Sequence, residues 1–310
     1  MNIKPETETE TTPVLVKADP TTRALFVDDE GAITIRAGTI FNGHTFADDT
    51  IVPHDAEFSV GSDYIVIVDN GVPEIRQCTG IPDGPRVLGG FHYAPGGCAT
   101  ARAGGSDIPT INSHSLWDRN FRPACPDPRG MALVTSPLGH RFWCDIYLLG
   151  VKHTTDGTSK LGVRIADGGD PPIDPVSSGA SKRFEWAFKR FEYQHAVTVM
   201  AHHGKQLLSY DEFVAAMTGV TEKTACDDDP IVTKLDAPHT SRFGIMQATG
   251  NLWVWGHDGD PDEPRESLFG GSWHHNGHAG SRYGDVGRYW REESDEDIGA
   301  RGRSDHLQVP

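Results

Sequence analysis

Apolar and polar positions alternate along Ala32-Ile33-Thr34-Ile35-Arg36-Ala37-Gly38-Thr39-Ile40-Phe41, and a β-branched run, Tyr64-Ile65-Val66-Ile67-Val68, stops at the turn signal Asp69-Asn70-Gly71. A period of two and a turn-bounded β-branched run both predict strands. Phe142-Trp143-Cys144-Asp145-Ile146-Tyr147-Leu148-Leu149 and Leu161-Gly162-Val163-Arg164-Ile165 predict two more. Helical spacing is confined to two stretches. Lys182 to His203 lacks Gly and Pro and carries Phe184, Ala187, Phe188, Phe191, Val197 and Met200, predicting a long amphipathic helix ended by Gly204. Ser209-Tyr210-Asp211-Glu212 has capping-box spacing and predicts a second helix through Phe213 to Met217.

These elements divide the chain into four parts. Residues 1–15 are polar, acidic and Thr-rich, which predicts a flexible segment, and 16–88 predict a small β-rich module. Two readings of that module stand: an attachment or trimerisation unit stabilised by oligomerisation, or an independent small β-sandwich. Residues 89–132, rich in Gly, Pro and Ser, predict an irregular connecting region, and 133–310 a larger domain starting near Leu133.

Composition narrows the function classes. With 310 residues the chain can bury a sizeable core, while 35 glycines, 21 prolines and 37% hydrophobic residues favour a loop-rich, β-containing protein. A formal charge of -16 argues against nucleic acid or an anionic membrane as partner, because phosphates need a basic surface. No run of eighteen apolar residues predicts a membrane span, and the polar start lacks the features of a signal peptide, so export is not expected. The five cysteines are odd in number and widely spread, signalling neither a disulfide framework nor a zinc site, and fit assembly in a reducing cytosol.

The last forty residues follow neither period. Gly, Trp and Arg landmarks alternate there with His, Tyr, Asp and Arg, and Lys is absent after Lys234. Large rigid aromatics and Arg interleaved with adaptable polar residues are the chemistry of a binding surface. Gly250-Asn251-Leu252-Trp253-Val254-Trp255, Gly270-Gly271-Ser272-Trp273 and Ile298-Gly299-Ala300-Arg301-Gly302 resemble, in order and spacing, the signposts of the formylglycine-generating-enzyme type of C-type lectin fold. Gly204-Lys205-Gln206-Leu207-Leu208-Ser209 resembles the approach to a helix of that fold. The ending Ile298 to Leu307, together with Gly90 to Gly97, Phe121 to Met131 and Met246 to Asn251, is similar to variable proteins diversified by retroelements. It is most similar to the phage tail receptor-binding, major tropism determinant-like group.

The resemblance implies an α+β fold class, with a C-type-lectin-like domain behind a small all-β module. It further implies a non-enzymatic adhesin on a virion tail, with a host cell-surface receptor, protein or glycan, and other tail proteins as partners, and a homotrimeric assembly. In that family Asn codons are miscopied into codons for many residues, though not Trp, Glu, Lys, Gln or Met. His274, His275, His278, Tyr283, Asp285, Arg288, Tyr289, Asp295 and Asp297 are reachable in this way and are the expected ligand-binding slots; Glu292, Glu293 and Glu296 are not. Trp253, Trp255, Gly271, Trp273, Arg282, Trp290, Gly299 and Arg301 are the expected scaffold. Trp253, Trp255 and Trp273 should pack beneath the display surface, and Arg282 and Arg301 should donate to loop carbonyls.

The same residues bear on other functions. An oxidase of the related enzyme type needs two cysteines shortly after the Gly-Gly-Ser-aromatic signpost, and no cysteine follows Trp273. An enzyme with a different site, and a cytoplasmic bacterial ligand-binding variable protein, are the alternatives. His274, His275 and His278 have partial zinc spacing, but Gly277 and Gly280 weaken a helix there and no acidic third ligand stands in the HExxH place. Asp258, Asp260 and Asp262 alternate as calcium ligands do, yet Glu263 and Phe269 occupy places an EF-hand cannot give up, and Val254 replaces the acidic residue of the lectin-fold calcium turn. No cofactor is required on this reading; a structural calcium and a merely solvated acidic loop are the two readings of those aspartates.

Overall fold

Short antiparallel strands joined by glycine turns build most of this computed structural model, which describes residues 14–175, 187–260, 262–263 and 265–307. The architecture is mostly β with few helices. Two three-stranded sheets open the chain. Leu15–Val16 pairs with Thr39–Phe41, which pairs with His44–Phe46, while Ile33–Ile35 lies between Leu25–Val27 and Thr50–Ile51. The alternating run 32–41 is therefore two strands in two sheets. Gly38, at φ +77°, turns the chain between them, a conformation that favours glycine. Leu15, assigned by composition to the flexible start, is buried and paired; residues 1–13 lie outside those described.

The hairpin Ser62–Asp69 to Val72–Gln77 turns at Asn70 and Gly71, both at positive φ, as its Asn-Gly signal requires. Its partner on the other side is Val87–Ala94, an eight-residue strand buried over most of its length. This corrects the reading of residues 89–132 as irregular. Gly89 and Gly90 sit in that strand because a Cβ would meet the Trp117 and Tyr64 carbonyl oxygens at 2.1 and 2.4 Å. Thr110–Ile111 and Trp117–Asp118 complete the sheet, so pairing runs across the expected boundary at 88/89. One core joins these strands, from Leu15 and Phe41 through Val66 and Phe91 to Leu116.

Two four-stranded sheets form the C-terminal part. In the first, Met131–Thr135 and Arg141–Asp145 pair with the terminal strand Gly302–Asp305, which pairs with Gln206–Leu207. Here the strand expected over 142–149 stops at Asp145, and Leu161 to Ile165 form turns with bridges to Gly150 and Val232 instead of a strand. The second sheet has the order Gly284–Trp290, Arg265–Phe269, Trp253–Asp260, Ile298–Gly299, the last pair parallel.

The first predicted helix is shorter than its apolar spacing implied. It runs Tyr193–His202, with a capping box between Glu192 and His195; Ala187 to Glu192 are non-helical, and 182–186 lie outside the described residues. Spacing alone could not see that Glu192 is the cap. Gly204 ends this helix at φ +66°. Tyr210–Ala216 follows, with both bonds of the Ser209–Glu212 capping box made. No helix of the described residues is long and apolar enough to cross a membrane.

Candidate functional site: the C-terminal display surface

The surface is built on a turn that only glycines permit. Gly270 and Gly271 stand at φ +97° and +76°, and a Cβ on Gly271 would lie 2.4 Å from the His278 carbonyl oxygen. The turn is closed by backbone bonds. Gly270 donates to the Tyr283 carbonyl, Gly280 to the Gly270 carbonyl, and Trp273 to the Asn251 carbonyl. A short 3-10 turn, Asn276–His278, carries the histidines outward. Asn276 pins it from both ends of its amide: the Ala225 N–H donates to Oδ1 at 2.8 Å, and Nδ2 donates to the Asp227 carboxylate at 2.8 Å.

Beneath the turn, buried polar groups bond to one another. Asn251 donates to Asp236, whose carboxylate lies 2.9 Å from His239 Nδ1. Arg301, fully buried, donates from Nη1 to the Asp145 and Ile146 carbonyls and from Nη2 to the Met246 and Gln247 carbonyls, all between 2.8 and 3.1 Å. Four carbonyls of two loops thus meet one planar guanidinium, a geometry an ammonium does not reproduce. Trp253 and Trp255 are buried, Trp273 half-buried, and Gly299 lets Leu252 and the Ala166 carbonyl come close.

Two residues assigned to the scaffold lie elsewhere. Arg282 is exposed, and its carbonyl, not its guanidinium, enters the framework by accepting from the Tyr210 hydroxyl at 2.8 Å. Trp290 is 46% exposed, with the Arg265 guanidinium 4.4 Å from its ring centroid. Its strand, Gly284–Trp290, bulges so that Val286, Gly287 and Arg288 oppose Ser267 alone, Gly287 taking φ +62°. Val286, Arg288 and Trp290 face solvent by alternation along the strand, while Tyr289 packs half-buried against the cluster of Trp255 and Leu268.

The expected slots fall into three neighbouring groups. His274 and His275 meet Asp297: His274 Nε2 and His275 Nδ1 lie 3.7 and 3.9 Å from its carboxylate, and the two rings stand 4.0 Å apart beside Trp273 and Trp253. The buried Ser272 hydroxyl is 2.6 Å from His275 Nδ1. Burial, then the charge of His274, holds the His275 imidazole below its usual pKa; His278 and Asp285 also act on it. His278 and Tyr283 form an edge contact at 6.1 Å. Asp285 pairs with Arg288 at 3.2 Å, and burial followed by the Asp285 charge pushes the Tyr289 phenol up. Asp295 lies apart and exposed, its carbonyl accepting from Gly168.

Two of the aspartates expected as calcium candidates accept backbone hydrogen bonds. Asp258 accepts from the Tyr210 N–H at 2.7 Å and so supports the start of a helix, while Asp260 accepts from the Asp262 N–H. They do not converge as a group of three donors among the described residues, and Val254 is buried in the strand, while Asp258 Oδ1 is buried without a hydrogen-bond partner. Thiolate chemistry is equally unsupported. Burial pushes Cys78, Cys98 and Cys226 up to about 11 and Cys144 up to about 12, and raises Cys125 as well, leaving thiols at neutral pH.

Sequence reasoning did not single out Asn276, Asp227, Glu222 or Arg265. The Ser281 hydroxyl donates to Glu222, and Lys223 donates through its backbone to the Ala279 carbonyl, so residues 222–227 act as a brace for the display turn. Asn-Gly at 276–277 was a legible turn signal; its long-range partners were not.

Comparison with known proteins bears on this surface. A family model described as the Mtd second domain matches residues 23–118. The chain is 37% identical, over 332 aligned positions, to a tail fiber receptor-binding protein of Bordetella phage BPP-1, covering 94% of this chain and 84% of that protein. Among solved structures it is similar to the Major Tropism Determinant U1 variant, with TM-score 0.86 and 37% identity over 95% of this chain and 86% of that one. The I1 variant matches with the same score and identity over 96% and 87%.

Proposed function

The chain belongs to the major tropism determinant family of phage tail receptor-binding proteins, and on that premise we propose that it is a non-enzymatic adhesin of a virion tail that recognises a host-surface receptor. The observation that carries this reading is the division of the C-terminal surface into a rigid frame and an exposed set of side chains. Arg301, Gly271 and Asn276 fix the backbone, so little ordering entropy is lost when the exposed side chains engage a target. The contact residues are His274, His275, His278, Tyr283, Asp285, Arg288 and Asp297, with Trp290 added as an exposed aromatic anchor and Tyr289 contributing from its half-buried position. Retroelement-driven change at such slots leaves the frame intact, because the frame's bonds run through backbone groups and through residues outside the slots.

The C-terminal part is a C-type-lectin-like domain in this reading, supported by the helices Tyr193–His202 and Tyr210–Ala216 beside its two small sheets. The N-terminal module serves attachment to other tail proteins and trimerisation, and extends to Asp118, since one sheet and one core run that far. Three copies on one particle would multiply modest single-site affinity. A competition assay tests the function: the purified chain, added ahead of phage carrying it, should block adsorption to the permissive host. Undiminished adsorption at saturating protein counts against receptor recognition by this chain.

A further inference from the structure

We propose that His274, His275 and Asp297 form a binding site for a divalent transition-metal ion, of which zinc is the representative, on the display surface. One donor atom from each of the three side chains lies within 4.8 Å of the other two, and no other three His, Cys, Asp or Glu donors converge in this way among the described residues. The individual separations, 3.7 Å from His274 and 3.9 Å from His275 to the Asp297 carboxylate, are close to what a tetrahedral ion demands. With metal–nitrogen and metal–oxygen bonds of about 2.0–2.2 Å, tetrahedral donors stand roughly 3.3–3.6 Å apart. Rotation of two partly exposed imidazoles closes the difference without moving the backbone.

The third ligand comes from a part of the chain that local spacing cannot connect to the histidines. Residues 274–278 show no acidic partner in sequence, but Asp297 precedes the strand Ile298–Gly299, which pairs in parallel with Trp253–Asp260, and its carbonyl accepts from the Trp253 N–H at 2.9 Å. Ser272, on the other side, bridges to Asn251. The fold thereby brings residue 297 beside residues 274 and 275, while His278 turns towards Tyr283 and stays out of the group.

Several features favour occupation. The Asp297 carboxylate is only 14% exposed and is held between two imidazoles. The buried Ser272 hydroxyl lies 2.6 Å from His275 Nδ1, the nitrogen that faces Asp297, and gives up that lone pair when the ion binds. Two imidazoles and one carboxylate select transition ions over calcium or magnesium, which prefer oxygen donors. The exposed edges of His274 and His275 leave the remaining coordination positions to water.

This inference does not depend on the receptor reading, because it is read on the purified chain alone. After removal of metals with EDTA, isothermal titration of the full chain with zinc chloride should show one saturable site, and His274→Ala and Asp297→Asn should each weaken it by about tenfold or more. Cobalt should quench tryptophan fluorescence in the unaltered chain and much less in either variant, since Trp273 and Trp253 make edge contacts with the two histidines. Far-ultraviolet circular dichroism checks that both variants fold, and a double variant, His274→Ala with His275→Ala, stands in if Asp297→Asn does not. Absence of saturable zinc binding overturns the proposal. So does unchanged affinity in the variants, which would place the ion on other histidines such as the adjacent pair His202 and His203.

Discussion

Tyr289 and Trp290, neighbours on one strand, face opposite sides of the display sheet: Tyr289 packs half-buried against the Trp255 cluster, and Trp290 stands 46% exposed beside the Arg265 guanidinium. Strict alternation along the strand sets this phase, and the bulge at Gly287, which adds two residues, preserves it. Trp290→Ala should therefore weaken host adsorption by about tenfold, the scale of an aromatic anchor, with the melting temperature nearly unchanged. Tyr289→Ala should lower unfolding free energy by about 2 kcal/mol, less than a fully buried ring would, with urea titration as the measurement. The reverse pattern would mean that the strand does not present these two faces as described.

Arg301 carries the frame, and its replacement should be felt far from the surface. Arg301→Lys keeps the charge but strands carbonyls of the 145–146 and 246–247 loops, and should cost about 3 kcal/mol or more of stability. A loss below about 1 kcal/mol in urea unfolding would show that those four bonds are replaceable by water.

How legible this surface was in the sequence depended on the range of the interaction. The Ser209–Glu212 capping box and the Asn70-Gly71 turn are local chemistry and were readable as such. The first helix was overextended because apolar spacing continues through Phe188 and Phe191, whereas the chain uses both to cover a core as loop residues. The strand Val87–Ala94 was hidden because Gly89 and Gly90 look like loop composition, and only the close approach of Trp117 and Tyr64 explains them. On the display surface, landmarks located the turn and the exposed slots. The meeting of Asp297 with two histidines depends on a parallel strand pair that leaves no local signal.

Acid should destabilise the chain from pH 6.5 downward. Burial lowers His203 to about 3 and His114 and His306 to about 4, from 6.5, so the folded state binds fewer protons than the unfolded one as pH falls through that window. Asp167, raised by burial from 3.8 to about 6, acts in the opposite sense, as do the carboxyls of Asp118, Asp229 and Glu266, also raised by burial, and these partly offset the histidines. His306 Nδ1 must stay unprotonated to accept from Trp143 Nε1 at 3.0 Å. His306→Gln should reduce the slope of stability against pH between 6 and 4 by up to about one proton. An unchanged slope would remove His306 from the account.

The most direct test of the central claim, that exposed side chains on a fixed C-terminal frame determine adhesion, is the adsorption rate of phage whose tails carry the chain with His275, Tyr283 and Arg288 replaced together by Ala. Adsorption to the permissive host should fall to background, while the melting temperature of the purified variant stays within about 2 °C of the unaltered chain, as expected for partly and fully exposed positions. Adsorption at the unaltered rate, with folding intact, would contradict the assignment of this surface as the receptor site.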